Sequence, residues 1–273
     1  MEAAISGPAD WLERNRANWD ARVPIHITSA TYDIPGFVAG RDTLRPYEPD
    51  EVGEVRGRTL LHLQCHLGLD TLSWARRGAT VTGLDFSRPA LDVAASVAAQ
   101  IGVESARFVL ANVYDAAAAL VGQTFDIVYS SVGSLQFLPD LARWARVVAT
   151  LVAPGGFCYL TEGHPFLHFV EDDGRTLRGD YFSRDAILLD EGTYADPGAD
   201  LASSASVEWV HNTADVVTAL GTAGLRVEFL REHDWSWYQI LPVLVRHEDG
   251  RWRFPDGQPR IPLVYSLRAV KDR

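Results

Sequence analysis

The sequence has few cysteines and no long apolar run. Its two cysteines, Cys65 and Cys158, lack metal-site spacing such as Cys-x-x-Cys, and one pair in 273 residues is no disulfide framework. No stretch reaches the roughly 18 to 20 consecutive apolar residues of a membrane-spanning helix, and the start, MEAAISGPAD, lacks the basic-then-apolar layout of a secretion signal. We therefore expect reduced, buried cysteines, no metal site and a cytoplasmic location.

Positive charge is scarce too. The chain has 25 Lys and Arg against 36 Asp and Glu, a formal charge of −11, so its average field repels phosphate polymers and anionic lipids. We expect neither a nucleic acid nor a membrane as partner. With 47% hydrophobic and 22% charged residues, the chain can bury one substantial core. We expect one domain over residues 1–273, as a monomer or a homodimer.

Compact apolar runs alternate with helical patterns from residue 58 to residue 162. Predicted strands cover 59–65, 79–85, 106–112, 125–131 and 157–162. Predicted helices lie between them: one ends near Gly78, one begins at an N-cap Ser87, and one covers 139–152. Strands that alternate with helices predict an α/β fold with a parallel, doubly wound sheet.

The flanking segments are less periodic. Residues 1–57 begin with an amphipathic stretch, which we interpret as an N-terminal helical lid. Residues 163–212 are rich in Asp, Gly and Ser, and we interpret them as a cap inserted after the fifth strand. A helix that starts at an N-cap Thr213 and strands at 225–230 and 263–270 complete the core. The connection between these strands is too short for a helical crossover, so the last strand should run antiparallel.

The strand-ending loops are where an open α/β sheet binds its ligand. In HLQCHLGLD, Gly68 can turn the chain into a helix, but Gln64 and His66 occupy two glycine positions of a nucleotide loop, which argues against a pyrophosphate. Asp85 ends the second strand about 20 residues later, where a carboxylate can accept both hydroxyls of a ribose, and Phe86 can lie against a purine. A turn residue or helix N-terminal charge is the alternative for Asp85.

Asn112 ends the third strand. Its amide can pair with the edge of an adenine, or it can simply form a turn.

Four segments resemble, in order and spacing, the successive motifs of class I S-adenosylmethionine-dependent methyltransferases. These segments are LLHLQCHLGLDTLSWARRGATVTGLDFS, ANVYD, FDIVYSSVGSLQFLPD and LVAPGGFCYLTE. The chain is most similar to a bacterial subgroup whose first motif reads HLQCHxGLD instead of DxGxGxG. The resemblance implies a Rossmann-like seven-stranded sheet of order 3-2-1-4-5-7-6 with strand 7 antiparallel. It also implies S-adenosylmethionine as cofactor, S-adenosylhomocysteine as product and a small-molecule acceptor.

The resemblance further implies a set of cofactor contacts, running from the methionine and ribose through the adenine to the sulfonium. On this basis the methionine and ribose side is lined by Gln64, His66 and Gly68, and the ribose is bound by Asp85. The adenine is flanked by Phe86 and contacted by Asn112 and Val113. The sulfonium region is faced by Ser130.

The lid segment supplies one further cofactor candidate. Trp19, His26, Tyr32 and Phe37 can cover the cofactor, and Arg41 can pair with the methionine carboxylate. An exposed surface arginine is the simpler alternative for Arg41.

Three residues form the candidate catalytic set. Methyl transfer is an in-line displacement that needs alignment and desolvation, and a base is needed only for a hydroxyl or an acidic carbon. Glu162 and His164 leave strand five beside the expected methyl donor, and His211 precedes the helix that follows the cap. The alternative is that both histidines only hydrogen-bond loop backbone.

Two other functions remain open. A protein of this fold can bind S-adenosylmethionine and act as a non-methylating enzyme or as a binding module, because the fold does not fix the chemistry. An NAD-dependent oxidoreductase also carries a glycine loop and an acidic residue after strand two. The missing glycines, the Pro-Gly-Gly turn before strand five and the terminal hairpin disfavour the oxidoreductase.

Overall fold

The centre of the computed structural model, which describes residues 7–273, is a seven-stranded sheet. In spatial order its strands are β3 (Arg107–Leu110), β2 (Thr80–Asp85), β1 (Thr59–Leu63), β4 (Phe125–Ser130), β5 (Val152–Gly163), β11 (Val264–Val270) and β8 (Arg226–His233). Strand β11 runs antiparallel to both β5 and β8, and the other pairs in this sheet are parallel. The predicted α/β Rossmann-like fold, strand order and antiparallel last strand are confirmed.

Helices cover both faces of the sheet. Those that follow β1 are α4 (Leu69–Arg76), α5 (Arg88–Gln100), α6 (Ala116–Ala119), α7 (Leu141–Leu151) and α8 (Thr213–Thr222). On one face Trp144 of α7 packs against Val128 and Leu160 of the sheet. On the other face Trp74 of α4 packs with Tyr129. Two apolar faces explain why the central strands read as continuous hydrophobic runs.

Several boundaries differ from the prediction. Strand β1 ends at Leu63 rather than at residue 65, because Gln64 and His66 have positive φ angles of 56° and 48°. Strand β3 ends at Leu110 rather than at residue 112, and the N-cap of α8 is Asn212 rather than Thr213.

Strand β5 starts at Val152, five residues before the predicted start at Phe157. The Pro-Gly-Gly segment stays in the strand because the backbone N–H of Gly155 donates to Lys271 and that of Lys271 donates to Gly156, both at 2.9 Å.

Before β1 lie α1 (Trp11–His26), α2 (Ile34–Val38) and α3 (Glu48–Val52). Helix α1 is bonded to the hairpin of β6 (Ile187–Asp190) and β7 (Ala205–Glu208). Asn15 exchanges two bonds with the backbone of Val207, at 2.8 and 2.7 Å. Asn18 Nδ2 donates to the carbonyl oxygens of residues 203 and 204, at 3.0 and 2.9 Å. The first helix and the inserted hairpin therefore form one joined cover.

The connection from β8 to β11 contains a second small hairpin, of β9 (Val245–Arg246) and β10 (Trp252–Arg253). Trp235 is buried in this connection, whereas Tyr238 is exposed. Both cysteines are buried free thiols. Within residues 7–273, no helix combines the length and apolar character needed to cross a membrane.

Candidate active site

The loop between β1 and α4 has an unusual backbone. Gln64, His66 and Gly68 all have positive φ angles, a conformation that costs a non-glycine residue roughly 1–2 kcal/mol. Gly68 must be glycine for a second reason: an added Cβ would lie 2.8 Å from Ala94 Cβ and 2.9 Å from Phe108 Cε1. Gly68 thus packs the loop against α5 and β3, and the strain at the other two positions is typical of functional loops.

Asp85 closes this loop from the end of β2. The carboxylate accepts from the backbone N–H of His66 at Oδ2 and of Ser87 at Oδ1, both at 2.8 Å. Asp85 is only 8% exposed, and this burial raises the pKa of its carboxyl group to about 6. The backbone N–H of Phe86 also stabilises the carboxylate, and the remaining acceptor capacity of its oxygens suits a hydroxyl donor.

Residues after β2 and β3 line the edge of the same region. Phe86 is half-buried beside Asp85, and Ser87 Oγ donates to Asp20 of α1 at 2.6 Å. Asn112 Oδ1 accepts from the backbone N–H of Tyr114 at 2.8 Å, which is the turn-forming contact that was the alternative for Asn112. Val113 is buried in the core.

Glu162 fixes the loop that follows β4. Its Oε1 accepts from the backbone N–H groups of Ser134 and Leu135, both at 2.8 Å, and from Ser134 Oγ at 2.7 Å. Its Oε2 accepts from the backbone N–H of Gly133 at 2.6 Å. Ser134 Oγ lies 2.9 Å from Ser130 Oγ. Burial raises the pKa of Glu162, while these bonds oppose the rise.

Gln64 connects the first loop to the loop that follows β4. Its Nε2 donates to the carbonyl oxygen of Ser134 at 2.9 Å, but its Oε1 is buried without a hydrogen-bond partner. A buried acceptor without a donor costs about 1–3 kcal/mol, so Gln64 Oε1 suits a ligand that donates a hydrogen bond.

The predicted catalytic set is only partly brought together. A cavity of about 30 Å³ is lined by Glu162, His211 and His168, but His164 is not among its lining residues. His164 Nε2 lies 3.1 Å from Glu232 Oε1, and Nδ1 accepts from the backbone N–H of Phe166. The expected convergence of all three groups is therefore corrected to Glu162 and His211.

His211 Nε2 donates to the carbonyl oxygen of Leu138 at 2.7 Å. Burial lowers the pKa of both His164 and His211, which favours neutral rings near pH 7.

A group of aromatic and imidazole rings, which we call the lid cluster, joins α1, the first loop and the cap. It consists of Trp19, His26, Tyr32, His66 and Tyr194. His26 Nδ1 lies 2.8 Å from His66 Nε2, and Trp19 packs on His66 with ring centroids 5.0 Å apart. The hydroxyls of Tyr32 and Tyr194 are hydrogen-bonded. The predicted lid thus does contact the first loop.

Arg41 lies outside the lid cluster. Its guanidinium donates to the carbonyl oxygen of Tyr32 and forms an ion pair with Asp33 at 3.1 Å, with 39% of the side chain exposed. These contacts match the alternative of a surface arginine.

The sequence analysis did not single out Arg22 as a candidate site residue. In the structure Arg22 is only 7% exposed, and its Nε has no hydrogen-bond partner. The spacing of Trp19, Arg22 and His26 on one helical face was the available signal.

Comparisons with known proteins agree with this fold. Residues 61–158 match the family model described as a methyltransferase domain. The ubiquinone biosynthesis O-methyltransferase of Aeromonas salmonicida is 35% identical over 139 residues, which are 50% of this chain and 57% of that protein. The chain therefore spans a little over half the length of this curated relative.

Two solved structures share the fold. A S-adenosylmethionine-dependent methyltransferase from Mesorhizobium loti has a TM-score of 0.59 and 21% identity, covering 90% of this chain and all of that one. Magnesium protoporphyrin IX methyltransferase from Synechocystis PCC 6803, with S-adenosylhomocysteine bound, has a TM-score of 0.50 and 15% identity, covering 93% of this chain and all of that one.

Proposed function

We propose that this chain is a S-adenosylmethionine-dependent methyltransferase that methylates a small molecule and releases S-adenosylhomocysteine. The observation that carries the proposal is the Asp85 carboxylate, buried at the end of β2 and held by backbone N–H groups, with acceptor capacity left for the ribose. The match of residues 61–158 to a methyltransferase domain supports it.

The residues present fit this cofactor. Gln64 Oε1 is a buried acceptor without a donor, and it suits the ammonium group of the methionine moiety. We assign Asp85 to the ribose, Phe86, Asn112 and Val113 to the adenine side, and His66, Gly68 and Ser130 to the walls around methionine and sulfonium. Bound S-adenosylmethionine supplies an electrophilic methyl group.

The protein's contribution is to align the acceptor and to exclude water. Glu162 holds the loop after β4 through four hydrogen bonds, so we assign it to positioning that loop. His211 donates through Nε2 to the carbonyl oxygen of Leu138, and the backbone of Leu135 also hydrogen-bonds to the ring. We assign this ring as the candidate base for a hydroxyl acceptor, a role that requires Nδ1 to be free to accept the proton. The curated relatives are named O-methyltransferases, so oxygen is the first acceptor atom to test.

We also retain three predictions from the sequence: a cytoplasmic location, a monomer or homodimer, and the division into lid, core and cap.

Calorimetry with S-adenosylmethionine, S-adenosylhomocysteine and NAD tests the cofactor. We expect the two adenosyl ligands to bind and NAD not to bind; NAD binding alone would favour an oxidoreductase. A screen of small phenols, amines and acids for release of S-adenosylhomocysteine tests the reaction. Binding without any release would favour a non-methylating enzyme or a binding module.

A further inference from the structure

Arg22 is a buried cation that makes no direct ion pair with a carboxylate of the described residues. The residue is 7% exposed, Nε has no hydrogen-bond partner, and no carboxylate among residues 7–273 forms an ion pair with it. Arg45, also largely buried, is instead paired with Asp70 and Glu48. Burying a charge without a directly bonded partner is costly. The chain supplies Arg22 only with carboxylates beyond ion-pairing distance, so its guanidinium can still bind an anion directly.

Arg22 is surrounded by aromatic rings and by two more distant glutamates. Its guanidinium carbon lies 4.9 Å from the centroid of the Trp19 ring. Electrostatic interactions with two tyrosines and two glutamates favour its charged form; these residues are Tyr32, Tyr194, Glu191 and Glu208. The two glutamates attract the cation from beyond ion-pairing distance. Burial raises the pKa of Glu208 to about 7, so near neutral pH this carboxyl is only partly ionised.

Arg22 belongs to the surface that faces the first loop. It lies on α1 between Trp19 and His26, and both of these contact His66. Three or four residues make one turn of a helix, so the three side chains share a face. That face lies over the loop to which we assign the methionine end of the cofactor.

We propose that Arg22 is the anion-binding residue of this site, and that its guanidinium binds a carboxylate beneath the lid. The proposal rests on the proposed function and deepens it. The carboxylate comes either from the methionine moiety of the cofactor or from an acidic acceptor. In both cases Arg22 takes the role that the sequence had suggested for Arg41, whose guanidinium is already bonded to Tyr32 and Asp33. Guanidinium and carboxylate form two parallel hydrogen bonds, which suits a buried, directional site.

The first experiment measures the affinity of the full chain for S-adenosylhomocysteine and for 5′-methylthioadenosine, which lacks the amino acid group. The variants are Arg22→Gln and Arg22→Lys, with Arg16→Gln on the exposed side of the same helix as control. If the carboxylate belongs to the cofactor, Arg22→Gln weakens S-adenosylhomocysteine tenfold or more and leaves 5′-methylthioadenosine unchanged, and Arg22→Lys weakens it less.

The second experiment titrates benzoate and benzyl alcohol into protein saturated with S-adenosylhomocysteine. If the carboxylate belongs to an acceptor, benzoate binds to the wild type, benzyl alcohol binds more weakly, and Arg22→Gln removes the difference. If the wild type binds no adenosyl ligand, the proposed function fails. Titration of benzoate into the ligand-free wild type and the Arg22→Gln variant then still tests whether Arg22 binds a carboxylate.

Two results would overturn the proposal. One is an Arg22→Gln variant that keeps wild-type affinity for all these ligands. The other is equal weakening of S-adenosylhomocysteine and 5′-methylthioadenosine, which indicates a structural role in the lid. The melting temperature of Arg22→Met without ligand is a separate readout: we expect it to match or exceed that of the wild type, whereas a structural role lowers it.

Discussion

Asp85 is the residue whose ionisation should control cofactor binding. The ribose hydroxyls need an ionised acceptor, but burial raises the pKa of this carboxyl to about 6. Below that pH the free protein must first lose a proton. We therefore expect the affinity for S-adenosylhomocysteine to fall up to about tenfold per pH unit below pH 6, measured by calorimetry between pH 5 and pH 8.

Substitution of the same residue separates this effect from other titrations. Asp85→Ala should weaken S-adenosylhomocysteine by about 1 to 3 kcal/mol at pH 7 and flatten the pH dependence. Asp92→Ala, in an exposed pair with Arg88 on α5, is the control and should behave as the wild type. Unchanged affinity in Asp85→Ala would refute the assignment.

Gly68 tests how tightly the first loop packs. Gly68→Ala combines a left-handed backbone with Cβ contacts of 2.8 and 2.9 Å to Ala94 and Phe108, and we expect a loss of about 2 to 4 kcal/mol of unfolding free energy. Gly122 has a similar φ of 75° but open space around it, so Gly122→Ala should lose only about 1 to 2 kcal/mol. Equal losses in chemical denaturation would mean that the packing at Gly68 contributes nothing.

At the scale of elements, Glu162 links β5 to the loop after β4. Glu162→Gln replaces one acceptor oxygen by an amide that cannot accept from the backbone N–H groups, at a cost of about 1 to 3 kcal/mol. We expect faster hydrogen exchange at residues 133–135, while exchange in β5 itself stays slow. Glu228→Gln, exposed on β8 and paired with Arg268, should leave these amides unchanged.

One outcome would contradict the positioning role of Glu162 and would indicate a direct role in methyl transfer. If Glu162→Gln abolishes methyl transfer while exchange at residues 133–135 and cofactor affinity stay at wild-type values, the residue acts on the acceptor and not through the loop.

The alternation of strands and helices could be predicted from the sequence because each strand of the parallel part is an apolar run followed by a helical pattern. The spatial order of the strands came from the resemblance to the methyltransferases. Ends of elements were less predictable. Gln64 and His66 end β1 through backbone angles that side-chain identity does not favour, and β5 continues through Pro154 because the final strand pairs with it there. Local propensity is weak against such tertiary pairing.

The candidate site was predictable only where a residue lies at the end of a strand or directly after it. Asp85 is such a case. Arg22 and Tyr194 are not, because their proximity depends on how α1 and the inserted hairpin fold over the sheet. The loop-fixing bonds of Glu162 depend in the same way on the conformation of residues 133–135.

For the whole molecule, Glu48 should make stability depend on pH. It is buried against Tyr129, whose hydroxyl donates to it at 2.6 Å, and burial raises the pKa of Glu48 from 4.5 to about 7. The folded state then holds a proton that the unfolded state has lost, so the free energy of unfolding falls as the pH rises from about 4.5 to about 7.

Buried histidines oppose this trend, since burial lowers the pKa of His26 and His62 to about 4. We therefore compare the wild type with Glu48→Gln by urea unfolding at each pH. Relative to the variant, the wild type should lose up to about 3 kcal/mol over this range. A constant difference from pH 4.5 to pH 7 would contradict the expectation.

The hydrogen bonds from Asn15 and Asn18 to the inserted hairpin should also affect the rate of product release. Neither half of this cover can move away without breaking its hydrogen bonds to the other. If the product binds beneath the cover as proposed, its release therefore requires both halves to move together. When such an opening is slower than bond making, it sets the pace of the whole cycle. We therefore expect the dwell time of the product, rather than the reactivity of the methyl group, to limit turnover.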